Sequence, residues 1–246
     1  MKTVHFVRHG ETEQNKNGIW QGHTNTQLSK IGKAQAKLLS DRLNLKNQTV
    51  FTSDLARAKE TAYFLSDSPT VRENLREINV GDFTGKSVKK TYSNNLDIFD
   101  ALQDDTYVFP NGESVQEFKQ RVHQEVDYIF DNIDEDSECI VVTHGFFIGT
   151  AIGLVLGFNQ YPYPIGNIQN TSVSTVIKRD SVMQVNKFND AIHLPNSYID
   201  YPAKDKSRIL TFIRHGQTDS NTQGVWQGHV DNLSLIHISE PTRQPI

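Results

Sequence analysis

A chain of 246 residues, 36% hydrophobic and 22% charged, is long enough to bury a core in one or two domains and is neither disordered nor fibrous in composition. Its formal net charge of −4, with Lys and Arg scattered along the chain, excludes the basic stripe of a nucleic-acid binder. The apolar segment 146–158 falls well short of the ~20 residues that span a bilayer, so no membrane partner is expected. The run 1–7 is too short for a signal peptide, which leads to the expectation of a cytoplasmic protein. Cys139, the one cysteine, lies in the apolar run Cys139-Ile140-Val141-Val142; that excludes an internal disulfide and a Cys-based zinc site.

The chain opens with an apolar strand over 2–7. Ser29 is placed to cap a helix that carries Ile31, Ala34, Leu38 and Leu39 on one face, and 49–52 reads as a second strand. A helix is expected from Asp54 through Leu65. Val115, Phe118, Val122, Val126, Ile129 and Ile133 recur at three or four residues and predict a long amphipathic helix. Residues 138–143 read as a buried strand and Phe146 as the start of the next helix. The strands 172–177 and 182–188, joined by the turn Arg179-Asp180-Ser181, close the pattern. Alternation of this kind predicts an α/β fold, a three-layer sandwich with a mainly parallel central sheet and helices on both faces. Its ligand site is expected beyond the carboxyl ends of the strands.

An internal repeat bears on the domain count. VHFVRHGETEQNKNGIWQGHTNT near the start returns as LTFIRHGQTDSNTQGVWQGHVDN, so that Arg8, His9, Trp20 and His23 recur as Arg214, His215, Trp226 and His229. We read a first domain over 1–192, a proline-containing linker over 193–207, and the truncated start of a second domain over 208–232. Residues 233–243 back-translate into a transposase-type sequencing-library adapter read in frame, so 233–246 are expected not to be biological. The second unit has no counterpart of Arg57, Glu77 or His144, so activity is expected from the first.

Arg8-His9-Gly10 follows directly on the first strand. At the mouth of a parallel sheet His9 can offer a ring nitrogen to phosphorus, Gly10 lets backbone approach closely, and Arg8 can clamp phosphate oxygens. Taken alone, His9 and His144 would be hydrogen-bonded structural histidines and Arg57 a solvated helix residue. Their surroundings lift them. Arg8-His9-Gly10-Glu11-Thr12 with Asn15, Ser53-Asp54-Leu55-Ala56-Arg57-Ala58 with Thr61-Ala62, and Leu75-Arg76-Glu77 with Gly81, Phe83 and Gly85 come first. Pro110-Asn111-Gly112-Glu113-Ser114 and Val142-Thr143-His144-Gly145 complete five motifs in order. Together they resemble the histidine phosphatase superfamily, the phosphoglycerate mutase-like fold, over nearly all of residues 2–190.

That resemblance implies His9 as nucleophile, Arg8, Arg57, His144 and Asn15 as donors to the phosphoryl oxygens, and Glu77 as general acid and base. Glu73 is the nearby competitor for the acid role, and the spacing of Glu77 to Asn79 and Gly81 favours Glu77. Thr12, Gln21, Gly22, Gly145 and Phe146 complete the expected substrate-binding set. Trp20, Phe146, Phe147, Tyr161 and Tyr163 either line an apolar pocket for the leaving group or belong to the core; both readings stay open. No cofactor and no metal is expected. A site built from His5, His9, His23 and His144 matches no metal spacing, and Arg8 would repel a cation.

The expected partner is a small phosphomonoester, hydrolysed through a phosphohistidine. Two alternatives stand beside it: phosphoryl transfer of the mutase type, and a phospho-ligand-binding module without turnover. The family's mutases carry longer insertions than the stretch between Glu77 and His144 allows, and Trp20-Gln21-Gly22 replaces their Gly-Trp segment, which favours a phosphatase. The natural substrate and a homo-oligomeric state are left open by the sequence.

Overall fold

The computed structural model describes residues 1–43, 48–94, 104–158 and 167–198. Tyr161 and Tyr163, the repeat over 208–232 and the segment 233–246 lie outside the described residues.

Six strands form one sheet: β1 (Lys2–Arg8), β2 (Thr49–Ser53), β3 (Thr70–Arg72), β4 (Glu138–Thr143), β5 (Val173–Arg179) and β6 (Val182–Asp190), in the order β3-β2-β4-β1-β5-β6. Parallel pairing joins β3 to β2, β2 to β4 and β4 to β1, while β5 and β6 add as an antiparallel hairpin. The hairpin turns at Asp180, whose φ of 53° is the left-handed geometry that Asp tolerates in a tight turn. The sheet is thus mixed, with β3, β2, β4 and β1 as its parallel part.

Those runs are apolar because both faces are covered. Val4 and Phe6 of β1, Phe51 of β2, and Cys139 and Val141 of β4 face one core, shared with α5 (Val115–Asp131) and α6 (Gly145–Val155). Val7, Val50, Ile140 and Val142 point the other way, onto Leu39 of α2 (Lys30–Leu43) and Ala58 and Ala62 of α3 (Ala56–Ala62). The period-two alternation of a strand therefore sorts consecutive residues into two layers. A short α1 (Glu13–Lys16) follows β1, and α4 (Val88–Asn94) precedes α5. Among the described residues no helix is long and apolar enough to cross a membrane.

Two local expectations are revised. The buried face of α2 is Gly32, Gln35, Ala36 and Leu39, not the stripe of Ile31, Ala34 and Leu38. Close backbone approach selects it: a Cβ on Gly32 would lie 2.1 Å from the carbonyl oxygen of Glu11. Helix α3 begins at Ala56, because Leu55 is extended and the Asp54 carboxylate accepts from Arg76 Nε at 2.8 Å instead of capping. Edge strand β3, three residues long, carries no apolar run; Arg72 at its end pairs with Glu125, a carboxylate buried on the apolar face of α5. Residues 191–198 pack onto the domain. Leu194 is buried, and His193 meets Arg42 of α2 through Nδ1 and Thr171 through Nε2.

Candidate active site

The parallel strands end together at Arg8, Ser53 and Thr143, and the residues just beyond them converge. His9 donates its backbone N–H to Thr143 O (2.9 Å), which fastens the turn after β1 to the end of β4. Gly10 donates to Thr61 Oγ1 (2.9 Å) and lies so near α2 that a Cβ would sit 2.6 Å from Gly32 O, so only glycine fits.

The His9 ring is buried, 3% exposed, and its two nitrogens have different duties. Nδ1 is 2.7 Å from Gly10 O, a carbonyl that can only accept, so Nδ1 holds the proton. Nε2 accepts from Arg57 Nε at 3.2 Å and therefore carries a lone pair. Burial, then the charges of Arg57 and Arg8, hold the ring's pKa well below the usual imidazole value, so the neutral form persists.

Arg57 is 1% exposed. Its terminal nitrogens donate to Gly22 O (2.8 Å) and Thr24 O (2.7 Å), which uses one hydrogen of each and fixes the plane of the guanidinium. Burial brings its pKa down to about 10 against the opposing pull of Glu77, so it remains a cation at neutral pH. Arg8 donates to Ile168 O, and its guanidinium lies along Gly145, where a Cβ would be 3.5 Å from Nε.

His144, the fully buried N-cap position of α6, meets Ser53 Oγ through Nε2 at 2.9 Å. Its Nδ1 has no hydrogen-bond partner, and the ring stands edge-on to His9 with centroids 5.1 Å apart. Burial, Arg57, His9 and Arg8 all keep it neutral. Glu77 lays its carboxylate on the N-terminus of α6. Oε2 accepts from Phe146 N–H (3.1 Å), and Oε1 from Phe147 N–H (3.2 Å) and Ile78 N–H (3.1 Å). Burial nevertheless raises the carboxyl pKa, outweighing those bonds and the two arginine charges. The arrangement is two guanidinium cations, two neutral imidazoles and one carboxyl group whose pKa burial raises.

Thr12 and Asn15 form a capping box at α1, with Asn15 Oδ1 accepting from Thr12 N–H and the amide NH2 left outside the cap. Gln21 Oε1 accepts from Thr12 (3.1 Å) and Thr26 (2.7 Å), and Gly22, at φ 49°, turns its carbonyl to Arg57. These residues thus order the loop around the arginine. Trp20 and Phe146 stack at 6.0 Å; Trp20 and Phe147 belong to the buried core, and Phe146 packs against it. His5 is engaged elsewhere, with Thr175 and Glu138. His23 donates to Glu77 O. Among the described residues no group of three or more His, Cys, Asp or Glu is arranged to hold a metal.

Several supporting residues carry no assignment from sequence. Ser53 and Thr61 lie inside a recognised motif, and their hydroxyls could have been marked as partners for buried donors. Asn170, which donates Nδ2 to His9 O at 2.9 Å, has no such signal.

The chain is similar to the metal-independent phosphoserine phosphatase of Arabidopsis thaliana, 31% identical over 199 residues that cover 77% of this chain and 82% of that protein. It is 29% identical over 212 residues to the probable phosphoglycerate mutase GpmB of Erwinia tasmaniensis, covering 81% of this chain and 98% of the relative. Among solved structures, a mutant phosphoserine phosphatase of Entamoeba histolytica in complex with phosphoserine matches with a TM-score of 0.71 and 25% identity, over 79% of this chain and 100% of that one. A mycobacterial glucosyl-3-phosphoglycerate phosphatase, at 24% identity and a TM-score of 0.69 over 77% of this chain and 100% of that one, shares the fold. The model of the histidine phosphatase superfamily (branch 1) matches residues 4–191, and the chain belongs to that superfamily.

Proposed function

We propose that this chain is a metal-independent phosphatase that hydrolyses a small phosphomonoester through a phosphohistidine on His9. One observation carries the reading: His9 Nε2 is a lone-pair acceptor on a neutral ring, set against Arg57 with Arg8 alongside. In the first step Nε2 forms a bond to phosphorus as the ester P–O bond breaks. Charge on the equatorial oxygens is met by Arg8, Arg57, Asn15 and His144. The departing alkoxide takes the proton of Glu77, whose buried carboxyl favours the acid form. Water then attacks the phosphohistidine and gives its proton to Glu77; the P–N bond breaks, releasing phosphate and restoring His9.

Relatives bear both phosphatase and mutase names, and the two activities differ only in whether water or a bound sugar acid receives the phosphoryl group. The test is release of p-nitrophenol from p-nitrophenyl phosphate in EDTA, with an alkaline detergent quench to trap a phosphoprotein. The expected result is turnover and an acid-labile label, both abolished in His9→Ala. Turnover by His9→Ala overturns the proposal, and phosphoglycerate interconversion faster than phosphate release assigns the mutase activity instead.

A further inference from the structure

We propose that Arg121 and His23 are positioning residues that set the backbone of Glu77, and with it the direction in which the acid delivers its proton. The inference rests on the acid role proposed above for Glu77. Residues 76–80 lie in no helix or strand, so ladder hydrogen bonds do not fix this stretch. Side chains do so instead. From α5, Arg121 Nη1 donates to Asn74 O (2.8 Å) and Arg76 O (2.9 Å), and Nη2 donates to Glu77 O (3.3 Å). The remaining donors of the fork, Nε and the second Nη2 hydrogen, grip Glu113 at 2.9 and 2.8 Å. All five N–H groups are thereby used, three of them on the carbonyls leading into the acid.

Two further contacts close the frame. His23 Nε2 donates to the same Glu77 carbonyl at 2.7 Å. Glu113 accepts the Asn79 N–H at 3.1 Å and gives its own N–H to Asn79 O at 2.9 Å, so the chain is held just after Glu77 as well as before it. The carboxylate, meanwhile, rests on the first turn of α6. A lysine at 121 would keep the charge but could not serve three carbonyls and a bidentate carboxylate at once. An error of about 1 Å in placing a reacting group can cost on the order of 100-fold in rate, so the frame has a kinetic consequence.

The experiment compares kcat/KM on p-nitrophenyl phosphate, whose leaving group needs no proton, with that on β-glycerophosphate, whose alkoxide does. Glu77→Gln is expected to lose about 100-fold on the alkyl ester and under about 10-fold on the aryl ester. Arg121→Lys should show the same selectivity at about 10-fold and add no selective loss in the Glu77→Gln background. If Arg121→Lys does not fold, His23→Leu replaces it, with His23→Gln, which retains a donor, expected to recover the alkyl activity. Equal losses on both esters in Arg121→Lys and His23→Leu, beside a selective Glu77→Gln, overturn this proposal alone. Equal losses in Glu77→Gln remove the acid role and this inference with it, while the His9→Ala result judges the phosphohistidine separately.

Discussion

Replacing Arg57 by lysine keeps the charge and removes the fork, and the structure sets the size of the effect. The guanidinium serves three acceptors: Gly22 O, Thr24 O and His9 Nε2. A lysine ammonium on its flexible stem reaches one of the two carbonyls, so one or two buried acceptors lose their donor at about 1–3 kcal/mol each. A loss of about 2–4 kcal/mol is expected, below the ~5–15 kcal/mol that holds a domain folded. At roughly 2–4 °C per kcal/mol for a domain of this size, Tm should fall by about 5–15 °C. Loss of a preorganised donor to the transition-state oxygens should cost kcat a further 100- to 1000-fold, on the order found for oxyanion donors. Thermal unfolding followed by circular dichroism and p-nitrophenyl phosphate turnover at 25 °C, where the variant remains folded, measure the two effects. A kcat within about fivefold of the parent would refute the transition-state role and leave Arg57 a structural residue; an unchanged Tm would refute the carbonyl accounting.

Gly32→Ala should destabilise: the new Cβ meets the Glu11 backbone at 2.1–2.9 Å, and overpacking at about 1–3 kcal/mol or more exceeds the ~1 kcal/mol gained in helix propensity. A higher Tm would show that the loop after His9 yields freely. Stability should also fall as pH drops below about 6.5. His9 and His144 are held below their unfolded pKa, so between the two values the unfolded chain binds more protons, and each contributes a slope of up to about 1.4 kcal/mol per pH unit. His193, brought down to about 4 first by burial and then by Arg42, acts in the same direction. His23, lowered chiefly by burial, adds to them, and Glu77, whose pKa is raised, opposes them over the range above 4.5, as one group against four. Urea midpoints from pH 7.5 to 5 measure the balance, and a midpoint independent of pH would mean that the folded and unfolded chains bind equal numbers of protons over this range, so that burial does not hold the imidazoles neutral.

Much of the fold is legible because burial on both faces leaves a direct mark. Val4, Phe6 and Val7 of β1 and the run Cys139-Ile140-Val141-Val142 of β4 mark strands covered on each side, and the three-and-four spacing from Val115 to Ile133 gives α5, which ends two residues earlier at Asp131. The misread face of α2 has the opposite cause. Its position is set by Gly10, Glu11 and Gly32 letting two backbones touch, and a glycine contributes nothing to an apolar stripe. Strand β3 was invisible because three edge residues with two exposed side chains have no periodicity to show. At the site, residues that act through their own side-chain chemistry stood out by type and motif. Those that act by hydrogen-bonding a distant backbone did not, since Asn170 to His9 and Arg121 to Glu77 span long stretches of chain and no local pattern encodes them.

The same division explains how a cationic site can be built in a buried place. Arg57 is withdrawn from water beside Arg8, with Glu77 the anionic group whose charge opposes both, and Glu77 itself tends toward its proton. Carbonyls of the 22–24 loop solvate Arg57 without neutralising it, and the loop that supplies them is held by Thr12, Gln21 and Thr26. Uncompensated positive charge in a low-dielectric pocket is unfavourable until an anion arrives, so a phosphoryl dianion gains both the Coulombic attraction and relief of the repulsion between the arginines. Neutral histidines fit that logic: a protonated His9 would add a third cation and lose its lone pair together, and the two arginines proposed to receive the phosphoryl group also keep His9 unprotonated. In the proposed mechanism, binding and activation of the nucleophile therefore share one electrostatic cause, which is why altering either guanidinium should disturb both.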